Sequence, residues 1–148
     1  RENIAGKKLV VVDDSIVRGT TTKAMVEMLR AAGAAEIHMR ISSPPYRWPC
    51  FYGMDVGTRG ELLAADMTVD EIQKYLDVDS LSYLKLDRLL AATGAVGAGF
   101  CDACLTGTYP LEIPVALREA AALPPIEKAA SEVETERPAL SATEATHG

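Results

Sequence analysis

The chain has 148 residues, 15 Lys and Arg against 21 Asp and Glu, a net charge of −6 and 48% hydrophobic residues. The acidic balance argues against general nucleic-acid binding, which needs a basic face, and no apolar run approaches the ~18–20 residues of a membrane-spanning helix. The length suits one domain, no signal peptide is visible, and three cysteines suit a reducing compartment such as the cytoplasm better than a disulfide framework.

Residues 7–12, KKLVVV, form an apolar run behind two lysines, which predicts a strand buried on both faces of a parallel sheet. The run ends in Asp13 and Asp14. Ligands of open α/β sheets sit at the carboxyl ends of strands. Successive strand residues point to opposite sides, so both acids reach a ligand only at the strand tip, where these two fall. Carboxylates are hard oxygen ligands suited to Mg²⁺, which takes one or two of them plus substrate oxygens. Ser15, Ile16, Val17, Arg18, Gly19, Thr20 and Thr21 follow. They offer hydroxyls, backbone amides, a guanidinium that matches phosphate and a permissive glycine. A loop that opens a helix N-terminus favours an anion. An ordinary βα junction with a capping acid accounts for the paired acids alone, but not for the whole DDSIVRGTT.

A helix is predicted over 20–32, with Ala24, Met25, Met28, Leu29 and Ala32 at helical spacing and Gly33 as its C-cap. Residues 36–42 read as the next strand, and a strand–helix–strand unit of this length implies a parallel, right-handed crossover. His38 within that strand reads as a structural histidine. Ser42, Ser43 and Pro44 fall at its carboxyl end and border the same crevice. An irregular loop runs through Trp48 and Pro49. Two short helices follow over 58–65 and 68–76, the second with Thr68 and Glu71 at capping-box spacing. Residues 80–84 form a short strand, and 86–93 a helix ending at Gly94. From residue 117 Ala, Glu, Pro, Ser and Thr dominate, a composition that buries too little to offset ordering entropy. The expected organisation is a folded part over 1–116 and a disordered acidic tail over 117–148. The fold class is α/β: a parallel sheet with flanking helices, then a short helical and irregular C-terminal segment.

Cys50 lies in SSPPYRWPCFYGMD, and Cys101 and Cys104 lie in FCDACLTGTYP. A C-x-x-C pair can bind zinc, ligate an iron–sulfur cluster or act as a redox dithiol. Structural zinc wants four N or S ligands and a [4Fe–4S] cluster four thiolates, so either leaves one ligand missing. Cys50 also reads as a small buried apolar residue.

DDSIVRGTT closely resembles the ribose-phosphate loop of type I phosphoribosyltransferases. Taken with RISSPP, PCFYGMD, GELLAA, TVDEIQKYL and CDACLTGTYP, it makes the chain resemble the glutamine phosphoribosylpyrophosphate amidotransferase family. The likeness runs over residues 3–114 and is to that family's iron–sulfur branch. It implies a type I phosphoribosyltransferase sheet and a pentosyltransferase. The implied reaction converts phosphoribosyl pyrophosphate (PRPP), glutamine and water to 5-phosphoribosylamine, glutamate and pyrophosphate, the first committed step of purine synthesis. By resemblance, Asp13 and Asp14 contact the ribose hydroxyls and Mg²⁺, and residues 15–21 bind the 5-phosphate. Cys50, Cys101 and Cys104 then ligate [4Fe–4S], with a fourth ligand upstream.

In the family a glutaminase domain, which delivers ammonia from glutamine, and the first part of the phosphoribosyltransferase domain precede this segment. The resemblance therefore makes the chain a C-terminal fragment, inactive alone, with none of its cysteines the glutaminase nucleophile. It further implies purine-nucleotide feedback and a homo-oligomer. Two other classes stay open: a PRPP-binding regulatory module without catalysis, and a zinc-stabilised interaction domain.

Overall fold

Three strands set the architecture: β1 Lys8–Asp13, β2 Glu36–Ile41 and β3 Ser80–Tyr83. They are seen in a computed structural model that describes residues 3–55, 57–94 and 99–124. All pairs are parallel, in the order β1-β2-β3. Lys8 stands opposite Glu36 and Asp13 opposite Ile41, and His38 stands opposite Ser80. Helix α1 (Thr20–Ala31) makes the first crossover. The second runs through a 3₁₀ turn (Arg59–Glu61), α2 (Leu63–Asp66) and α3 (Val69–Leu76). After β3 come α4 (Leu86–Ala92), α5 (Ala103–Thr106) and α6 (Val115–Ala120).

The core lies on one face of the sheet. Ile37, Met39 and Ile41 alternate inward along β2 and join Val26, Ile72, Leu76, Val78 and Leu81, as the period of two requires. The predicted burial of β1 on both faces does not hold. Val10 is 66% and Val12 71% exposed, while Val11 packs against the core. Among the described residues β1 is an edge strand, and the described helices that reach the core cover only its other side.

The face of α1 also differs from the expected one. Thr22 and Val26 are buried, with Met25 and Leu29 beside them, whereas Met28 is 65% exposed. The inward stripe is 22, 25, 26, 29, which is helical spacing centred one residue away from the stripe through Met28.

Gly33 follows the helix at φ 93°, and the cap itself is Ala32. The helix expected over 58–65 is broken at Leu62, whose backbone is extended. α3 carries the predicted capping box on Thr68 and Glu71. α6 runs across the boundary expected at residue 116, with Ala121 buried and its carbonyl accepting the Arg59 N–H at 2.9 Å. Residues 125–148, most of the expected tail, lie outside the described residues.

Candidate functional site

The carboxyl end of β1 and the N-terminus of α1 enclose a concavity of about 340 Å³ lined by Asp13, Asp14, Ser15, Val17, Arg18, Gly19, Thr20, Thr21 and Thr22. The β1 tip is held from the neighbouring strand. Ser42 donates to the Asp13 carbonyl from its backbone N–H at 2.9 Å and from its hydroxyl at 3.0 Å. This places Ser42 beside the site, as its strand-end position suggested. An Asp13 carboxylate oxygen accepts the Asp14 N–H at 3.0 Å, and Asp14 accepts the Ser15 hydroxyl at 2.9 Å. Each acid thus keeps oxygens beyond these bonds, at the mouth of the concavity.

Among the expected loop residues, Ile16 alone is absent from the lining. Its side chain is buried in the core, so it anchors the loop and leaves only its backbone for a ligand. Gly19 takes φ 73° and caps α1 without a side-chain bond, and the first turn has no acid. The first helical bond runs from the Lys23 N–H to the Gly19 carbonyl at 2.9 Å. The N–H groups of Thr20, Thr21 and Thr22 therefore stand outside the helix ladder. They face the same end as the positive pole of the dipole.

Gly19 is also needed sterically. A Cβ there would lie 2.6 Å from Leu63 Cδ2 and 3.4 Å from Tyr75 Cε1.

Arg18, expected to meet phosphate, lines the concavity and bonds Glu61. Its Nε donates to Glu61 Oε2 at 2.8 Å, its Nη2 bonds the same oxygen, and Nη2 also reaches the Asp55 carbonyl at 3.4 Å. The Arg18 guanidinium beside it holds the Glu61 carboxyl below its usual range. Glu61 and Leu63 are the site-supporting residues that sequence reasoning missed. No local signal marks them, because their partners lie more than forty residues away, as the 43-residue separation of Arg18 and Glu61 shows. His38 is structural as read: its ring nitrogens meet Ser80 Oγ at 2.9 Å and Glu36 Oε2 at 3.0 Å.

The cysteine segments are drawn together by backbone bonds and aromatics. The Cys104 carbonyl accepts the N–H groups of Arg47 and Trp48 at 3.2 and 3.1 Å. The Tyr109 hydroxyl donates to the Pro49 carbonyl at 2.8 Å, and its ring meets Phe51 edge-on at 5.2 Å. Among the described residues no group of three or more His, Cys, Asp or Glu is placed to hold a metal ion.

Burial pushes the Cys104 thiol up from its ordinary value, with Cys50 and Cys101 adding to the rise. Cys50 Sγ accepts the Tyr52 N–H at 3.4 Å, and Cys101 is exposed. A [4Fe–4S] cluster takes four thiolates, so these three would need a fourth from elsewhere. Asp13 and Asp14 suit Mg²⁺, which needs only one or two carboxylates beside substrate oxygens.

No protein-family model matches the chain. It is 51% identical over 118 residues to the amidophosphoribosyltransferase of Synechocystis sp., covering 80% of this chain and 24% of that protein. It is 52% identical over 116 residues to the Archaeoglobus fulgidus protein of the same name, covering 77% and 25%. Among solved structures, the Bacillus subtilis glutamine PRPP amidotransferase complexed with ADP and GMP superposes with a TM-score of 0.70 at 49% identity, covering 76% of this chain and 26% of that one. A structure described as the allosteric regulatory enzyme of purine biosynthesis gives 0.72 at 46% identity, covering 80% and 26%. The chain spans about a quarter of the length of these relatives. Its three parallel strands with flanking helices are a phosphoribosyltransferase-like fold.

Proposed function

We propose that this chain, a homologue of the amidophosphoribosyltransferases, carries the ribose-phosphate half of a PRPP site in an enzyme that makes 5-phosphoribosylamine. The concavity between Asp13 and Thr22 is the observation that carries this reading. It joins two carboxylates to a helix N-terminus that keeps its amides unbonded.

The 5-phosphate is received by the amides and hydroxyls of Ser15, Thr20 and Thr21 and by the remaining amides of residues 15–21. Asp13 and Asp14 take the ribose hydroxyls and would hold Mg²⁺, which when bound supplies positive charge to the pyrophosphate. Ammonia attacks C1 of the ribose and pyrophosphate leaves with the bonding electrons of the C1–O bond. Positive charge develops on the ring as that bond lengthens, and the two carboxylates position and balance it. Neither acts as a base, because ammonia brings its own lone pair. The ammonia source and the pyrophosphate contacts come from other parts of the enzyme. The B. subtilis relative's nucleotides support feedback by purine nucleotides in the whole protein. Cys50, Cys101 and Cys104 would hold a [4Fe–4S] cluster together with a fourth thiolate from another part of the enzyme.

In the intact enzyme, Asp13→Asn with Asp14→Asn should lower PRPP-dependent turnover by about a hundredfold or more while glutamine hydrolysis measured alone continues. Unchanged PRPP kinetics would overturn the assignment. Iron and sulfide analysis of the anaerobically purified protein tests the cysteines separately.

A further inference from the structure

Three successive loop residues are each docked on one later segment. The Val17 carbonyl accepts the Leu63 N–H at 2.9 Å. Arg18 is bound through Nε and Nη2 to Glu61. Gly19 lies against Leu63 so closely that a Cβ would sit 2.6 Å from its side chain. Glu61 is itself fixed, because its other oxygen accepts the Thr58 hydroxyl at 2.8 Å.

A carboxylate beside an anion site needs a reason, since its charge alone opposes a phosphate. The geometry supplies one. The turn at 17–19 ends in a left-handed glycine, and its backbone orientation decides where the following amides point.

We propose that Glu61 is a positioning residue of the phosphate loop: acting through Arg18, it fixes the Val17–Gly19 turn in the conformation that presents the α1 amides to the ribose phosphate. This deepens the reading above and rests on it. Glu61 does not touch the ligand, and Arg18 serves as the strut between them. The arrangement also predicts that freeing Arg18 gives no gain in phosphate affinity, because the loop loses more order than the guanidinium returns.

The test uses the whole chain, labelled with ¹⁵N, and the variants Glu61→Gln, Glu61→Asp, Arg18→Gln and Glu61→Gln with Arg18→Gln. Leu63 amide exchange reports the docking without ligand. Titration with ribose 5-phosphate and with PRPP, each with Mg²⁺, reports affinity, and thermal unfolding shows which variants remain folded. Glu61→Gln should speed Leu63 exchange about tenfold and weaken both ligands about fivefold, with Glu61→Asp restoring most of each effect and Glu61→Gln adding little to Arg18→Gln. Equal or tighter binding by folded Glu61→Gln, or additive effects of the two substitutions, would overturn the proposal. If Glu61→Gln does not fold, Glu61→Asp and Arg18→Gln decide it: unchanged Leu63 exchange in both overturns it. If the unmodified chain binds neither ligand while exchange depends on Glu61, the phosphate-site reading fails and the docking role stands. The two failures are thereby distinct.

Discussion

Gly107 shows how one missing side chain organises a neighbourhood. It follows α5 at φ 75°, and a Cβ there would lie 2.6 Å from Trp48 Cε2 and 2.9 Å from Cδ2. The indole is caught between this glycine and the Arg59 guanidinium, 4.4 Å from the ring centroid. A rigid ring cannot yield as the end of a leucine can. Gly107→Ala should therefore cost about 2–4 kcal/mol, from left-handed strain and overpacking together, measured by denaturant unfolding. The chain has one Trp, so its fluorescence reports the displacement directly, and an unchanged spectrum with unchanged stability would refute this account. Gly19→Ala shares the strain but meets the movable Leu63, so its larger effect should fall on ligand affinity. Gly107 could be recognised in the sequence as a helix breaker. Its contact with Trp48 could not, because the two are joined only by the fold.

At the scale of elements, α3 is the most self-determined piece. Thr68 Oγ1 accepts the Glu71 N–H at 3.3 Å, and Glu71 Oε2 accepts the Thr68 N–H at 2.7 Å. Ile72 and Leu76 fall one turn apart on the buried face. Thr68→Ala should destabilise by about 1 kcal/mol, read from the urea midpoint at constant slope; no shift would mean that tertiary packing alone sets the helix start. The capping box, the β1–α1–β2 unit and α4 were legible because their signals lie within a dozen residues. The helix expected over 58–65 was not. Leu62 is drawn into extended backbone and buried, so packing outweighed a weak local preference.

At the scale of the molecule, Asp79 ties the second crossover to the sheet. Its carboxylate accepts the Ile37 N–H at 2.7 Å and Arg30 Nη2 at 2.8 Å. The Ile37 N–H first, and then Arg30, hold its pKa below the ordinary 3.8. A carboxyl whose folded value is depressed adds stability that is complete above the unfolded value and is lost as pH falls through the folded one. Thermal unfolding should thus fall below about pH 4, and Asp79→Asn should make that acid limb shallower while lowering stability at neutral pH. The limb should persist in part, since Glu36, Glu61 and Glu71 shift in the same direction. An acid limb identical to that of the unmodified chain would remove Asp79 from this role. Among the described residues no helix is long and apolar enough to cross a membrane.

Local chemistry by itself determined the strand that ends in Asp13 and Asp14, the helix that opens after Gly19, the parallel return to β2 and the capping box. Each depends on side-chain period, on glycine's freedom at positive φ or on a bond between near neighbours. Tertiary structure alone decided the rest. It left Val10 and Val12 exposed on a sheet face that no described helix covers, and it buried Val26 where the sequence pattern had drawn in Met28. It also joined Arg18 to Glu61. These outcomes turn on which surfaces meet across tens of residues. That depends on packing and partner availability, which no short stretch of the chain encodes.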